Sequence, residues 1–492
     1  MASIDPPAPD ATVLDLYRAA WSGLRGGIVR YRLAIAVEVG MIALWFILRT
    51  GWSVESRPYL AWTVLACAIA MISPTSGLVL LVATAPFFEP VTLTRALGLR
   101  NILVAALAVS VALRLAAGGW RQMPRSPTLI LGIVVALITI GGVAHTLRDF
   151  DPDFGTHAAQ TWITNIGGAM ILLVVGAWVA RTGEARPLVV AAIACAVASV
   201  LSMMELFHPG LISNGALSWI GFWKDFGARV TGIIPAPNAV ATMLIVPATV
   251  SLAAVVQFHG RRRLAALVVA IPIAAAAILT LSRSAIAALY ITAVLFIARR
   301  RRRTAWIVLG VGIVLAIVSV PLFIQFRAAQ QGVFETRTPI EWILGADEAR
   351  ITAWGAAIRM WADSPIIGHG FLAYKQLADA FGDTRLGSPH NEVLRLFAEE
   401  GLIGGIALIA FIVALFRELS RRPGWIGSGL LAGAIGYWLA AMFNNPLLFI
   451  QVSATAFVFF GYGLAAPIPA DEAIPPPAGP PDEAVSPALQ TA

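Results

Sequence analysis

The segment Ser388-Pro-His-Asn-Glu392 has the residue types of a base placed at the start of a helix. Ser388 is a good N-cap residue and Pro389 suits a first turn, so the pattern predicts a helix that begins here. A helix N-terminus favours the neutral imidazole of His390, which can act as a base, and attracts phosphate oxygens. A histidine that is merely packed in the core is the alternative. On such a helix one face would carry His390, Val393, Leu394 and Phe397, and the opposite face Glu392, Arg395 and Glu399.

A second candidate is Arg350, which lies in the stretch from Glu348 to Trp361. At helical spacing this stretch has one apolar face and places Arg359 on the opposite, wet face. The pattern predicts an amphipathic helix on a membrane surface. Arg350 borders the apolar face and is directed inward, where an arginine needs an anionic partner. The apolar face consists of Ile351, Trp354, Ile358 and Trp361.

Two further arginines lie in short polar segments near apolar runs. Arg283 occurs in a Thr-Leu-Ser-Arg-Ser segment, and Arg229 in an Arg-Val-Thr-Gly segment. Taken singly, Arg283 is explained by a side chain that reaches the lipid headgroups, and Arg229 by a structural role. Together with Arg350 and His390 they form a set that suits a lipid-linked diphosphate, because guanidinium groups bind phosphate in a fixed geometry.

The aspartates and cysteines are weaker candidates for a functional site. Asp149, Asp151 and Asp153 alternate in one loop and could bind a divalent cation, although an ordinary acidic loop is the better explanation. Cys67 and Cys195 both lie inside apolar runs, so neither a disulfide framework nor a thiolate metal site is expected. The sequence contains no glycine-rich phosphate loop and no cluster of histidine and cysteine spaced as metal ligands.

The composition of the chain indicates what kind of structural elements position these residues. The chain of 492 residues is 58% apolar and 13% charged, with a mean hydropathy of +0.80. A soluble protein this apolar could not cover its surface, so membrane lipids are the expected solvent. The net charge of +8 is divided among many short loops, which argues against nucleic acid as a partner. The predicted fold class is therefore an all-α polytopic membrane protein.

Apolar runs that match the thickness of a bilayer recur between Leu33 and Ala465, and they predict about fourteen transmembrane helices. Without the two short runs within 58–92 the number is about twelve. The predicted spans are 33–50, 58–73, 76–92, 101–117, 127–147, 161–180, 187–206, 237–258, 264–281, 283–299, 304–324, 401–417, 425–444 and 447–465.

Arginines in the short loops predict that both termini are cytoplasmic, because the reverse orientation would place the run from Arg299 to Arg303 outside. The segments 207–236 and 325–400 are then extracytoplasmic and too long to be simple connectors. Their tryptophans suit a folded layer with amphipathic helices at the membrane interface. The predicted organisation is a cytoplasmic segment 1–32, membrane helices 33–324 including loop 207–236, a long periplasmic loop 325–400 with the candidate catalytic motifs, C-terminal membrane helices 401–465, and a disordered, proline-rich cytoplasmic tail 466–492.

Several of these segments resemble the O-antigen ligase and O-antigen polymerase superfamily. They occur in the family's order over residues 225–415, whereas the first 200 residues are similar only in being a run of membrane helices. The motifs that carry the resemblance are Arg229-Val-Thr-Gly232 with Pro237-Asn238, Leu281-Ser-Arg-Ser284, Arg350-Ile-Thr-Ala-Trp354 with Asp363-Ser-Pro-Ile-Ile-Gly-His-Gly370, and His390-Asn-Glu-Val-Leu394 with Glu399-Glu-Gly-Leu-Ile-Gly404.

The resemblance implies a glycosyltransferase without a metal or other cofactor, located in the bacterial inner membrane with its active site facing the periplasm. The donor would be a glycan on undecaprenyl diphosphate, and the acceptor a lipid A–core sugar, another lipid-linked glycan or a protein. His390 would be the general base, and direct attack would invert the anomeric configuration. The resemblance also implies that the diphosphate is held by Arg283, Arg350 and Arg229, with Ser282, Asn391 and Glu399 in support.

Two other classes of protein remain as alternatives. A transporter or flippase of the lipid-linked glycan would need ionisable residues within the spans, for which Glu38 and Glu205 are the main candidates. No inverted repeat of the kind found in many transporters is evident in the sequence. A structural scaffold would leave the inward position of Arg350 unexplained.

The predicted orientation can be tested with topology reporters. A reporter fused after Arg303 is expected to be active in the cytoplasm, and one fused near Gly382 outside it, because the arginine-rich loops stay inside. A cytoplasmic position for residue 382 would contradict both the orientation and a periplasmic site.

Overall fold

A computed structural model describes residues 32–49, 56–87, 99–117, 123–182, 184–208, 236–298, 301–312, 314 and 339–465. Every regular element in these residues is helical, so the all-α prediction is confirmed. The helices are α1 Arg32–Arg49, α2 Ser56–Ile72, α3 Pro74–Thr84, α4 Leu99–Ala116, α5 Pro127–Asp149, α6 Pro152–Trp162, α7 Gly168–Ala180, α8 Arg186–Phe207, α9 Pro237–Gln257, α10 Gly260–Leu279, α11 Arg283–Ala298, α12 Pro339–Asp363, α13 Ala373–Leu377, α14 Glu392–Ser420, α15 Gly424–Ala441 and α16 Ile450–Ala465.

Within the described residues, seven helical stretches are long and apolar enough to cross a membrane. Five shorter apolar helices accompany them, and each span predicted between 33 and 299 overlaps a helix. The chain is therefore a multi-pass helical protein, while the number of about fourteen spans stays a prediction. The seven stretches are Pro127–Asp149, Pro152–Ala180, Arg186–Phe207, Pro237–Gln257, Gly260–Leu279, Glu392–Ser420 and Gly424–Ala441.

Three helices begin with a capping residue followed by proline, which fixes where each span starts. Ser73 caps α3, Ser126 caps α5 and Asp151 caps α6. The side-chain oxygen of the cap accepts an N–H that has no partner inside the helix, and proline in the first turn lacks that N–H altogether. The cap bonds run from Ser76 N to Ser73 Oγ (3.2 Å), from Leu129 N to Ser126 Oγ (3.2 Å) and from Asp153 N to Asp151 Oδ1 (2.8 Å).

Glycines allow the helices at the centre of the bundle to approach closely. A Cβ on Gly461 of α16 would lie 2.4 Å from the carbonyl oxygen of Leu173 in α7. A Cβ on Gly433 of α15 would lie 2.6 Å from Thr249 Oγ1 in α9. Small residues at helix contacts are what lipid-solvated bundles use, because packing replaces the missing hydrophobic driving force.

A π-helix at Ile163–Gly167 joins α6 to α7 and directs a polar side chain toward the last helix. The carbonyl oxygen of the Asn165 side chain accepts the backbone N–H of Ile450 at 3.0 Å. That N–H belongs to the first residue of α16 and has no partner within its own helix. The π-helix thus places an amide where it satisfies a buried helix start.

Helix α14 is interrupted at Gly401, whose φ of 63° and ψ of −160° are accessible only to glycine. The break leaves two carbonyl groups and two N–H groups without helical partners, and the backbone of the segment 364–371 supplies all four. A break in a lipid-solvated helix persists only where such partners are present. The four hydrogen bonds run from His369 N to Ala398 O (3.3 Å), Gly370 N to Glu399 O (2.7 Å), Leu402 N to Pro365 O (2.8 Å) and Ile403 N to Ile366 O (3.4 Å).

The segment 364–371 also contacts α5, so it joins two long helices. Phe371 N donates to the carbonyl of Gly142 at 3.2 Å, and Thr146 Oγ1 donates to the carbonyl of Phe371 at 2.8 Å. Gly142 has the carboxylate of Glu400 directly against it, since a Cβ there would lie 2.1 Å from that group. The segment 364–371 therefore joins α5 to the interrupted helix α14.

Substitution of Gly401 by alanine tests this arrangement. The new Cβ would lie 2.3 Å from the backbone of Ile366, and the positive φ alone costs about 1–2 kcal/mol. We expect Gly401→Ala to lower the thermal unfolding midpoint of the detergent-solubilised protein by several degrees. Gly141→Ala is the control, because a Cβ there meets nothing within 4 Å inside helix α5. Equal midpoints for the two variants would contradict the packing described here.

Candidate active site

His390 lies in a turn that precedes α14 rather than on the helix itself. The N-cap is Asn391, whose Oδ1 accepts from Val393 N and Leu394 N at 3.1 Å each. The prediction that Ser388 is the N-cap, with Pro389 in the first turn, was therefore wrong. The physical reason is that His390 has a φ of 47°, which no right-handed helix can include, so the helix starts at the next good capping residue.

Left-handed backbone conformations mark the motif segments. In the described part of the chain, Leu281, Leu372 and His390 are the non-glycine residues with positive φ. Leu281 precedes Ser282, Leu372 follows the segment 364–371, and His390 is the candidate base. A non-glycine residue in this conformation is held there by its surroundings, and such residues cluster at functional sites.

The turn around His390 is fixed by side chains from two other segments and by Ser388 of the turn itself. The hydroxyl of Ser388 donates to Asn445 Oδ1 at 3.0 Å and accepts the backbone N–H of His390 at 3.4 Å. The indole N–H of Trp354 in α12 donates to the carbonyl of Pro389 at 2.9 Å. The bonds with Asn445 and Trp354 join the turn to the connection after α15 and to α12. The imidazole is thus carried on a rigid support.

The electrostatic surroundings of His390 favour the neutral imidazole. Burial lowers the pKa of His390 below its ordinary value, the positive charge of Arg350 lowers it further, and the carboxylate of Asp383 opposes both. Arg350 is itself half-buried. The charges of Arg350 and Asp383 therefore both act on His390 in the structure.

Asp383 was not singled out from the sequence, yet it organises the loop that leads to His390. Its side chain is 1% exposed and accepts the hydroxyl of Tyr374 at 2.8 Å and the backbone N–H groups of Arg385 and Leu386 at 3.1 Å each. Burial raises the pKa of Tyr374, so the phenol stays protonated and donates. A lone aspartate after a Phe-Gly turn gave no signal of this role.

Helix α12 presents two faces, and both are apolar. Its protein face carries Ala353, Ala356, Ala357 and Met360, each at most 1% exposed. The face predicted to meet the membrane includes Ile351 and Ile358, which are 63% and 49% exposed. Arg359 is exposed and donates to the carbonyl of Phe381, so it lies away from the apolar faces as predicted. Contact of this helix with a lipid surface stays a prediction.

The Ser-Arg segment forms the turn between α10 and α11. Ser282 is 2% exposed, and its N–H donates to Thr280 Oγ1 at 3.2 Å. Two residues past Arg283, Ala285 packs in one cluster with Ala440 near the end of α15. Since α15 leads directly to Asn445, this turn lies at the same end of the bundle as the His390 turn. Arg229 and the side chain of Arg283 lie outside the described residues.

Glu399 belongs to a buried ion network on α14. Arg395 pairs with Glu392 and, through Nη1, with Glu399 Oε2 at 2.5 Å. All three residues are at most 1% exposed, and the guanidinium lies 5.6 Å from the centre of the Phe371 ring. A buried arginine between two carboxylates is satisfied only in this geometry. Glu399 therefore holds Arg395 in place, and Arg395 contacts the segment 364–371 through the Phe371 ring.

The acidic loop and the candidate transport residue both have structural partners. Asp149 pairs with His145 at 2.7 Å and with Arg148, while Asp151 caps α6. Glu38 is buried and pairs with Arg186 at 3.2 Å. Within the described residues, no group of three or more His, Cys, Asp or Glu side chains is arranged to hold a metal ion.

Comparison with known families identifies one match. Residues 265–409 match the family model described as O-antigen ligase. No curated protein matches the chain. The matched part extends from α10 into α14 and includes the Ser282 turn, α12 and the His390 turn. It confirms the resemblance to the O-antigen ligase and polymerase superfamily, a resemblance that suggests a glycosyltransferase type of enzyme.

The surroundings of His390 predict how its protonation responds to mutation. Because burial and Arg350 lower its pKa, the imidazole should stay neutral to a pH below 6.5. Arg350→Gln should raise the pKa by removing a repelling charge, and Asp383→Asn should lower it by removing an attracting one. The measurement is the pH dependence of carbethoxylation of His390, a reaction of the neutral ring, read by peptide mass spectrometry. Arg359→Gln is the control and should leave the midpoint unchanged. A midpoint that Arg350→Gln does not move would contradict the assignment.

Proposed function

We propose that the protein transfers a glycan from undecaprenyl diphosphate to an acceptor hydroxyl on the periplasmic face of the bacterial inner membrane. The acceptor is a lipid A–core sugar, as in a ligase, or another lipid-linked glycan, as in a polymerase. The observation that carries the proposal is the neutral His390 beside Arg350, on a rigid turn inside the part of the chain that matches O-antigen ligase. The long loop 325–400 supplies this turn and the arginine.

The reaction is a direct displacement at the anomeric carbon. His390 takes the proton of the acceptor hydroxyl while the hydroxyl oxygen attacks the anomeric carbon of the donor sugar. The bond from that carbon to the diphosphate oxygen breaks, and the diphosphate leaves with the electron pair. Attack from the side opposite the leaving group inverts the anomeric configuration. The imidazolium then releases its proton to solvent.

Arginines neutralise the leaving group in place of a metal. The diphosphate gains negative charge as the bond breaks, so cations already in position stabilise the transition state more than the ground state. Arg350 has a second role, since its charge keeps His390 neutral before the reaction. The imidazolium that forms beside Arg350 is tolerated because the leaving diphosphate becomes more negative in the same step. Arg283 and Arg229 complete the diphosphate site in this proposal.

The supporting residues act on the framework rather than on the substrate. Asn391 caps α14 directly after His390, so it fixes where the turn ends. Ser282 is buried in the turn that places Arg283 at the start of α11. Glu399 pairs with Arg395 on the same helix and so holds the guanidinium that lies over the Phe371 ring. A flippase of the same lipid would have used buried charges in the spans, but Glu38 is engaged by Arg186.

Purified variants assayed with EDTA throughout separate catalysis from binding. His390→Ala should lose about 10²–10⁴ in kcat while retaining donor affinity, because a general base acts only on the transferred proton. Arg350→Ala and Arg283→Ala should lose both turnover and donor affinity, because they contact the diphosphate before and during transfer. Lysine at either position should restore only part of the activity, since an ammonium group lacks the planar fork.

Arg359→Ala is the matched control on the same helix as Arg350 and should keep near-normal turnover. Each variant is compared at equal membrane insertion and equal thermal stability. Near-normal turnover of a well-expressed His390→Ala protein would refute the assignment of the base, and complete dependence on an added divalent metal would refute catalysis by arginines alone.

A further inference from the structure

The connection between α15 and α16, residues 442–449, contacts both α12 and the turn that carries His390. Phe443 packs against Trp354 of α12, with ring centres 6.0 Å apart. This connection lies beyond residues 265–409, so the match to O-antigen ligase does not include it. Its position calls for a separate explanation.

Asn445 is the residue of this connection that contacts the His390 turn. Its side chain is 2% exposed, and its Oδ1 accepts the hydroxyl proton of Ser388 at 3.0 Å. The same hydroxyl oxygen accepts the backbone N–H of His390 at 3.4 Å. A hydroxyl has one proton to donate, and here it goes to Asn445. Two consecutive hydrogen bonds therefore lead from the buried amide to the backbone of the candidate base.

This contact matters because His390 has a conformation that its own backbone disfavours. At a φ of 47° a residue with a Cβ returns to an extended or right-handed conformation unless neighbouring groups prevent it. Ser388 can hold the N–H of His390 only while its own rotamer is fixed, and Asn445 is the acceptor that fixes it. The carbonyl of Asn445 in turn accepts the N–H of Leu448 at 3.1 Å, which fixes the asparagine.

We propose that Asn445 is a positioning residue, which acts through Ser388 to hold His390 in the orientation needed to deprotonate the acceptor. The proposal rests on the proposed function of His390 as the base. Asn445 is buried and does not contact the substrate. Its loss should therefore lower the rate of proton transfer while leaving donor binding intact, and a displacement of the base by about 1 Å costs on the order of 10²-fold.

The test compares Asn445→Leu with Asn444→Leu, in the full-length protein and in a His390→Ala background. Both asparagines are at least nine-tenths buried, and leucine preserves their approximate volume. Among the described residues the Nδ2 atoms of both asparagines have no hydrogen-bond partner, so what sets Asn445 apart is the bond that its Oδ1 accepts from Ser388, and Asn444→Leu is a matched control for packing. We expect Asn445→Leu to lower kcat by about 10–10²-fold with the donor KM nearly unchanged, and Asn444→Leu to have little effect.

The double variants distinguish positioning from a structural role. If Asn445 acts through His390, Asn445→Leu causes no further loss of the residual rate in the His390→Ala background. Ser388→Ala should resemble Asn445→Leu, and the two together should be no worse than either alone, because they break the same chain of bonds. Equal losses in both backgrounds, or a comparable loss in Asn444→Leu, would overturn the proposal.

Failure of the proposed function gives a different result. Near-normal turnover of His390→Ala would show that His390 is not the general base. A residue that positions His390 would then have no role in catalysis. A large loss in His390→Ala with normal turnover in Asn445→Leu would leave the base in place and overturn only the role of Asn445.

Discussion

The satisfaction of backbone groups at the Gly401 break is the constraint on which the site depends. In a helix surrounded by lipid and protein, unpaired N–H and carbonyl groups are too costly to persist, so α14 can break only where another backbone meets it. The segment 364–371 does this with four hydrogen bonds and is itself anchored to α5 through Thr146. That anchoring fixes the end of α12 and the start of α14, the two elements that bring Arg350 and His390 together.

The two arginines Arg395 and Arg350 differ in burial and in the groups that surround them. Arg395 is surrounded by Glu392 and Glu399 on one face of α14, and this network is closed to solvent. Arg350, by contrast, is half-buried beside a neutral imidazole. One arginine is thus committed to structure, whereas the charge of the other acts on the candidate base. The distinction follows from burial and partner, since both residues are arginines in helices.

The sequence predicted what depends on periodicity and composition, and it failed where a single backbone angle decides. Apolar runs located the helices, and the shared face of Glu392, Arg395 and Glu399 anticipated their ion network. The start of α14 was misplaced by three residues, because serine, asparagine and proline are all acceptable near a helix start. Only the positive φ of His390 excludes Ser388, and no residue type other than glycine announces such a φ. Asn445 was missed because its partner is 57 residues away.

A general base in such a site has to meet two opposing requirements. A general base must be basic enough to accept a proton at the transition state, yet neutral beforehand, and an arginine close enough to bind diphosphate makes the ring harder to protonate. The negative charge of Asp383 raises the pKa of His390 and so offsets part of the effect of the arginine. In the proposed reaction the leaving diphosphate offsets the rest of the effect of Arg350, but only during bond cleavage, when the negative charge of the diphosphate increases. Under that proposal proton transfer to His390 is favoured in the step in which the glycan is transferred and disfavoured before it, so an arginine that binds the donor would also tie deprotonation of the acceptor to departure of the diphosphate.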